Sequence, residues 1–121
     1  MSTIVYGIPN CDTVKKARAW LTEQGVDYTF HDYKKQGVPA ERLAAWVAAV
    51  GWEPLVNRQG TTWRKLDDAT KASVVDAASA QALMLAQASV IKRPVIERDG
   101  AVVSVGFDTK RLEDLAKRLG A

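Results

Sequence analysis

Cysteine and histidine are almost absent from this sequence, since its 121 residues include only Cys11 and His31. One cysteine cannot form a disulfide within the chain, and a lack of disulfides is typical of reducing compartments, so we expect a cytoplasmic protein. A structural zinc site uses about four Cys or His ligands, so the sequence predicts no bound metal. His31 falls on the polar phase of a predicted strand, where we expect a surface residue rather than a catalyst.

Long apolar runs and long basic runs are also missing. No apolar stretch approaches the roughly 20 residues of a membrane-spanning helix, and the first residues lack the basic and apolar regions of a secretory signal. The net charge is only +3, with no long basic run. These features argue against nucleic acid or a membrane as a partner, whereas a small anionic substrate is compatible with them.

The setting of Cys11 predicts a reactive thiol. An apolar run, residues 4–6, and a segment rich in helix breakers, residues 7–10, precede it, and a helical pattern begins directly after it. Cys11 is therefore expected at a helix N-terminus, where backbone N–H groups and the helix dipole stabilise an anion. The thiolate is the reactive form of cysteine. The alternative is a buried cysteine that acts as a small hydrophobe, and the surrounding pattern favours the reactive thiol.

Hydrophobic periodicity predicts strands near both ends of the chain and helices in the middle. Strands are predicted at residues 3–6, 26–33, 90–97 and 101–105, with Asp99-Gly100 as a hairpin turn. Helices are predicted at residues 12–24, 40–50, 67–77 and 79–88 and after residue 108, with Ser79 as an N-cap and a loop at residues 34–39. The prediction is an α/β fold with one mixed sheet flanked by helices, built from residues 1–36 and 89–121, and an inserted all-helical subdomain, residues 37–88.

Three segments of the sequence carry a family resemblance: the Cys-bearing segment Tyr6–Ala17, the segment Asn57–Leu66 of the predicted insert, and the Arg-Pro segment Ile91–Ile96. Together they resemble the arsenate reductase/Spx (ArsC) family, which implies a thioredoxin-like fold. The resemblance covers essentially the whole chain, in order. Within the family the sequence looks most similar to the YffB group, which is described as glutathione-dependent thiol reductases.

The resemblance implies roles for three residues. Cys11 would be the nucleophile, and Arg93 would be a fixed cation beside it that favours the thiolate and any bound anion. Pro94 would follow a cis peptide bond and shape the floor of the site. The residues alone favour a trans bond, because only about 5–6% of X–Pro bonds in folded proteins are cis, so the cis expectation depends on the resemblance.

A single nucleophilic thiol needs a second thiol from solution, since no other cysteine in the chain can resolve a mixed disulfide or a sulfenic acid. Glutathione is the abundant cytosolic candidate. We therefore expect a glutathione-dependent monothiol oxidoreductase, a monomer that acts on a small thiol, disulfide or oxidised substrate with glutathione as co-substrate. The residues expected to bind glutathione or substrate flank Cys11, lie in the insert or follow Arg93: Asn10, Asp12, Thr13, Lys15, Arg58, Arg64 and Pro94.

Two other functions within the family remain open. Arsenate reductases of this type use three arginines to hold the oxyanion; Arg93 matches one, Asn57 stands at the second with Arg58 beside it, and residues 103–107 contain no arginine. One secure arginine offers few charge-assisted hydrogen bonds to a tetrahedral anion, so arsenate reduction is the alternative. Spx regulators, which bind RNA polymerase, often carry a Cys-x-x-Cys switch, and Val14 occupies its second cysteine position here. A regulator without enzymatic activity is the further alternative.

Overall fold

The computed structural model describes residues 2–120, which form two compact units. One unit combines the residues up to Gln36 with those from Arg93 onward, and the other is Gly37–Lys92. The predicted insert ended at residue 88, whereas the observed division follows Lys92. The outermost residues of the predicted α/β domain, 1 and 121, lie outside the described residues. Within residues 2–120, no helix is long and apolar enough to cross a membrane.

The second boundary falls later than predicted because residues 90–92 pair with residues 55–57 of the insert. The Lys92 N–H donates to the Leu55 carbonyl at 2.7 Å. Val56 and Ile91 form an isolated antiparallel bridge, and both side chains are buried. The segment before Arg93 therefore belongs to the helical unit.

Strands and helices follow one another along the chain in the order β1 (Thr3–Gly7), α1 (Asp12–Glu23), β2 (Thr29–Asp32), α2 (Tyr33–Gln36), α3 (Ala40–Val50), α4 (Thr61–Arg64), α5 (Asp68–Ser73), α6 (Ala77–Ala86), β3 (Val95–Arg98), β4 (Ala101–Val105) and α7 (Leu112–Arg118). Short 3-10 turns occur at Glu53–Leu55, Ala88–Val90 and Thr109–Arg111. The four strands form one sheet in the order β2-β1-β3-β4. β1 pairs parallel with β2 and antiparallel with β3, and β3 pairs antiparallel with β4. The predicted mixed sheet flanked by helices is confirmed.

One face of the sheet carries the apolar core of the first unit. Val5 and Ile96 of the two central strands pack with Leu21 of α1 and with Leu115 and Leu119 at the C-terminal helix. Successive residues of a strand point to opposite faces. The neighbours of Val5 and Ile96, among them Tyr6 and Glu97, therefore lie on the other face of the sheet.

The hairpin between β3 and β4 turns at Asp99 and Gly100, as predicted. Both residues have positive φ, 52° and 83°, which is the conformation of a type I′ turn and explains the Asp-Gly pair. β2 is shorter than predicted, since it pairs only with residues 4–7 of β1. Tyr33–Gln36 forms a helical turn, α2, where the sequence predicted the end of a strand and a loop.

The helical unit contains a second apolar core. α3 packs against α6, and Trp46 and Met84 are fully buried. Ser79 was predicted as an N-cap, but Asp76 caps α6: its carboxylate accepts from the Ser79 N–H at 2.9 Å, and Ser79 completes a capping box from the third helical position. The helix therefore begins two residues before Ser79, at Ala77.

Leucine substitutions in α6 should separate its buried face from its exposed face. Leu83 is 9% exposed and Leu85 is 46% exposed. Leu83→Ala leaves a cavity and should lower the free energy of unfolding by about 2–5 kcal/mol, whereas Leu85→Ala should stay within about 0.5 kcal/mol of wild type. Urea unfolding of both variants measures the difference, and equal losses would contradict this orientation of the helix.

Candidate active site

The strand register brings three functional segments to one edge of the sheet. β1 and β2 run parallel and end side by side, with Gly7 opposite Asp32. β3 runs antiparallel to β1, with Tyr6 opposite Val95, so the start of β3 lies beside the end of β1. The loop to Cys11, the first residue of α2 and the Arg93-Pro94 segment therefore meet at this edge.

Cys11 is the N-cap residue of α1. Its backbone is extended, with φ −142° and ψ 122°, and its carbonyl accepts from the Lys15 N–H at 2.9 Å, the first hydrogen bond of the helix. The thiol is free and partly exposed. The first N–H groups of a helix have no partner within the helix and carry a partial positive charge. The predicted placement of Cys11 at a helix start is confirmed.

Gly7 allows the strand, the helix and the Arg93 segment to approach closely. A Cβ atom at this position would lie 2.9 Å from Cγ2 of Val14 and 3.9 Å from Cβ of Arg93. The first distance is shorter than carbon atoms tolerate without a shift. The absence of a side chain at Gly7 therefore lets the first turn of α1 and the base of Arg93 pack on the end of β1.

The Arg93–Pro94 peptide bond is cis, as the family resemblance implied. Pro94 is buried, and its carbonyl accepts from the Gly106 N–H at 2.8 Å. Arg93 as a whole is partly exposed, but its Nε is shielded from solvent. One end of the guanidinium is therefore held in the protein interior at the edge where Cys11 lies.

Polar and aromatic side chains occupy the second face of the sheet near this edge. The Tyr6 hydroxyl donates to Oε1 of Glu97 at 2.7 Å, and both residues are buried. The His31 ring lies 5.0 Å from the Tyr6 ring and 6.0 Å from the Tyr33 ring, measured between centroids. His31 is therefore not the simple surface residue that the strand pattern predicted, but a partly buried member of an aromatic row.

Tyr33, the first residue of α2, is 4% exposed, and its hydroxyl has no hydrogen-bond partner. Burial raises the pKa of Tyr33 well above its ordinary range; Tyr6 and Glu97 raise it further, and the positive charge of Arg93 lowers it. The phenol therefore stays protonated at neutral pH.

The other residues predicted to bind glutathione or substrate lie beside Cys11 or in the helical unit. Asn10, Asp12 and Lys15 are exposed, and Thr13 is partly buried. In the helical unit the Arg58 guanidinium is near two indole rings, 5.6 Å from the centroid of Trp52 and 5.7 Å from that of Trp63.

A cleft of about 300 Å³ in the helical unit is lined by Arg58, Asn57 and Lys92, among other residues. Arg64 is exposed, and its carbonyl accepts from Nζ of Lys71 at 3.3 Å. The roles of Arg58, Arg64 and the residues flanking Cys11 in binding glutathione or substrate stay predictions.

Three residues of this region were missed by the sequence analysis: Gly7, Tyr33 and Glu97. Gly7 was interpreted only as a loop former, and Tyr33 as the end of a strand. Glu97 follows the apolar pair Val95-Ile96 in the predicted strand, and its burial depends on the central position of β3 in the sheet, which the sequence does not show. Among residues 2–120, no group of three or more His, Cys, Asp or Glu side chains is arranged to hold a metal ion.

Comparison with known proteins identifies the family to which this sequence is similar. The model of the ArsC family matches residues 6–115. An uncharacterized protein of Haemophilus influenzae is 40% identical over 109 residues, covering 90% of this chain and 94% of that protein. The global transcriptional regulator Spx of Streptococcus pyogenes is 26% identical over 113 residues, covering 91% of this chain and 81% of the regulator.

Two solved structures are similar over nearly the whole chain. The YFFB protein has a TM-score of 0.86 and 51% identity, covering 94% of this chain and 98% of its own. An arsenate reductase (ArsC) related protein of Brucella melitensis has a TM-score of 0.76 and 57% identity, covering 94% and 93%. These similarities confirm the thioredoxin-like fold that the sequence predicted.

Replacement of Gly7 should show how tight the approach at the end of β1 is. Gly7→Ala puts a methyl group against Val14, and overpacking of this kind lowers the free energy of unfolding by about 1–3 kcal/mol. Val14→Ala removes the obstructing methyl groups, so the double variant should lose less stability than the sum of the single variants. Urea unfolding of all three proteins provides the test, and strictly additive losses would count against this contact.

Two tyrosine-to-phenylalanine substitutions should differ sharply in their effect on stability. Tyr6→Phe removes a hydrogen bond to the buried Glu97 and should lower the free energy of unfolding by about 1.5–3 kcal/mol. Tyr33→Phe removes a buried hydroxyl without a partner, so the variant should be as stable as wild type or more stable. Urea unfolding of the pair tests this; a loss for Tyr33→Phe as large as that for Tyr6→Phe would mean that its hydroxyl is hydrogen-bonded in solution.

Proposed function

Because this chain belongs to the ArsC family, we propose that it is a glutathione-dependent monothiol oxidoreductase with Cys11 as its nucleophile. The observation that carries the proposal is the position of the lone thiol. Cys11 caps the N-terminus of α1 at the sheet edge where the cis Arg93–Pro94 segment begins β3. A helix N-terminus and a fixed guanidinium both favour a thiolate, which is the attacking form of cysteine.

The reaction proceeds by two thiol–disulfide exchanges. In the first, the Cys11 thiolate attacks the glutathione sulfur of a glutathionylated substrate; a new S–S bond joins Cys11 to glutathione, and the substrate leaves as a thiolate that takes up a proton. In the second, the thiolate of a free glutathione attacks the bound glutathione sulfur. This step releases oxidised glutathione and restores the Cys11 thiolate. The net result is that the disulfide of the glutathionylated substrate is exchanged for that of oxidised glutathione, with one free glutathione consumed and the substrate released as a thiol.

The positive charge at this edge assists both steps. In the first it keeps Cys11 ionised for attack, and in the second it stabilises Cys11 as the leaving thiolate, since a less basic thiolate leaves faster. Arg93 remains protonated at any physiological pH. Its Nε is buried, so its charge stays near the site rather than sampling solvent.

Arsenate reduction is the alternative activity. The Brucella relative is called an arsenate reductase related protein, and a cysteine beside an arginine suits attack on an oxyanion. The sequence supplies one arginine at the three matching positions, with Asn57 at the second and none within residues 103–107. Arsenate with glutathione and glutaredoxin should therefore give no turnover above the Cys11→Ser background. Clear turnover would make arsenate the substrate.

A regulatory role is the further alternative, favoured by the similarity to Spx of Streptococcus pyogenes. Val14 stands where a Cys-x-x-Cys pair would have its second cysteine, so an intramolecular disulfide cannot switch this chain. Binding to purified RNA polymerase, measured for wild type and Cys11→Ser, distinguishes a docking protein from an enzyme.

Mass spectrometry after treatment with oxidised glutathione tests the proposed function. Wild type should gain one glutathionyl group on Cys11, and reduced glutathione should remove it, while Cys11→Ser should gain none. Arg93→Met should slow adduct formation at neutral pH at least about tenfold, because the thiolate loses a neighbouring charge. The matched control is Arg111→Met, which removes a guanidinium whose side chain is 80% exposed and should leave the rate unchanged. If Cys11 forms no adduct, glutathione is not the co-substrate.

A further inference from the structure

The cleft of the helical unit is lined by charged groups of both signs. It has a volume of about 300 Å³, and its charged lining residues are Glu53, Arg58 and Lys92, with the side-chain amides of Asn57 and Gln59 beside them. This volume lies at the lower end of the range for small-molecule sites. All of the lining residues belong to the helical unit, so this one unit forms the cleft by itself.

The backbone that carries these groups is held by pairing between two segments of the unit. The Asn57 N–H donates to the Val90 carbonyl at 2.7 Å, and the Lys92 N–H donates to the Leu55 carbonyl, also at 2.7 Å. Val56, which lies between Leu55 and Asn57 in the chain, is buried. The two segments therefore keep a fixed spacing, and a ligand in the cleft does not have to order this part of the chain.

Two aromatic rings lie near the Arg58 guanidinium. Its central carbon is 5.6 Å from the ring centroid of Trp52 and 5.7 Å from that of Trp63. A guanidinium within about 6 Å of an indole ring is attracted to the face of the ring, and this attraction limits the motion of a side chain that is otherwise exposed. The planar fork of N–H donors on an arginine matches the two oxygens of a carboxylate. Arg58 is therefore suited to bind a carboxylate ligand.

The charged groups of the cleft do not neutralise one another. Among residues 2–120, none of Glu53, Arg58 and Lys92 forms an ion pair. Opposite charges that line one cleft without touching leave room for a ligand that carries both signs. A carboxylate on the ligand makes charge-assisted hydrogen bonds with the two cations, and an ammonium group does so with Glu53. A phosphate dianion fits less well, because it is repelled by the carboxylate of Glu53.

We propose that this cleft binds an α-amino acid head group, in which one carbon atom carries an ammonium and a carboxylate. Arg58 and Lys92 bind the carboxylate, and Glu53 binds the ammonium. The side-chain amides of Asn57 and Gln59 supply further N–H donors to the carboxylate. Two sources present this chemistry, the γ-glutamyl end of glutathione and a free amino acid. The inference deepens the proposed function and rests on it for glutathione as one of these sources.

The experiment is a titration of the isotope-labelled full-length protein, followed by the NMR shifts of its backbone amides. The probes are S-methylglutathione, free glutamate and inorganic phosphate; S-methylglutathione has no free thiol and cannot react with Cys11. Saturable shifts centred on residues 53–59 and 92 are expected. If both amino-acid probes produce them, the head group is the shared element; S-methylglutathione alone assigns the site to glutathione, and glutamate alone assigns it to free amino acids. Saturation with phosphate only, or with no probe, overturns the proposal.

Substitutions test each charge of the head group separately. Arg58→Gln and Lys92→Gln should each weaken the binding of S-methylglutathione about threefold or more, because each removes a charged contact at an exposed site. Glu53→Gln should weaken it by a similar factor, but should not weaken the binding of N-acetyl-S-methylglutathione, whose ammonium is blocked. If Glu53→Gln weakens both ligands equally, or if none of the three substitutions weakens S-methylglutathione, the proposal is overturned.

The matched controls alter exposed side chains of the same unit that do not line the cleft. Lys65→Gln removes a positive charge and Glu41→Gln removes a negative charge, and both variants should bind the probes as wild type does. All five substituted side chains are exposed, so the variants should fold like wild type, and far-ultraviolet circular dichroism verifies this.

This result and the test of the proposed function can fail independently. If S-methylglutathione binds in the cleft but oxidised glutathione gives no adduct on Cys11, the binding site stands and the proposed function fails. If the adduct forms but none of the probes binds in the cleft, the proposed function stands and this inference is overturned.

Discussion

The close approach at the end of β1 is the constraint on which the candidate site depends. Gly7 lies against Val14 of α1 and the base of Arg93, two residues that are far apart in the chain. Because β1 is the strand between β2 and β3, its final residue is the point at which the loop to Cys11, the turn into α2 and the cis-proline segment converge. A side chain at Gly7 would push the first turn of α1 away from the base of Arg93.

The two faces of the sheet carry different kinds of side chain, apolar on one and largely polar or aromatic on the other. Val5, Leu21 and Ile96 form a conventional apolar core with the C-terminal helix. The opposite face holds a buried carboxylate, a phenol without a partner and a partly buried imidazole. Polar groups of this kind lower stability unless they are fully satisfied. Their concentration beside the segments that carry the candidate nucleophile and its cation is what a site under functional constraint would show.

The elements that were predicted correctly are those whose signals are local. The Asp99-Gly100 turn requires positive φ at two adjacent residues, and a helix after Cys11 follows from the spacing of apolar residues within it. Element ends were predicted less well, because partners elsewhere in the chain decide them. β2 stops at Asp32 because β1 offers it only four paired residues. The boundary after Lys92 depends on pairing with Leu55.

The sequence by itself determined the position of a lone thiol at a strand-to-helix junction, the mixed α/β architecture and the family. Each of these depends on residue type, short-range spacing or an ordered set of motifs. Only the tertiary structure decided which side chains meet on the second face of the sheet, because Tyr6 and Glu97 are 91 positions apart in the chain and the parallel pairing of β1 and β2 brings His31 beside Tyr6. Register and the pleat of the sheet bring these residues to one face, and no pattern within a single segment carries that information.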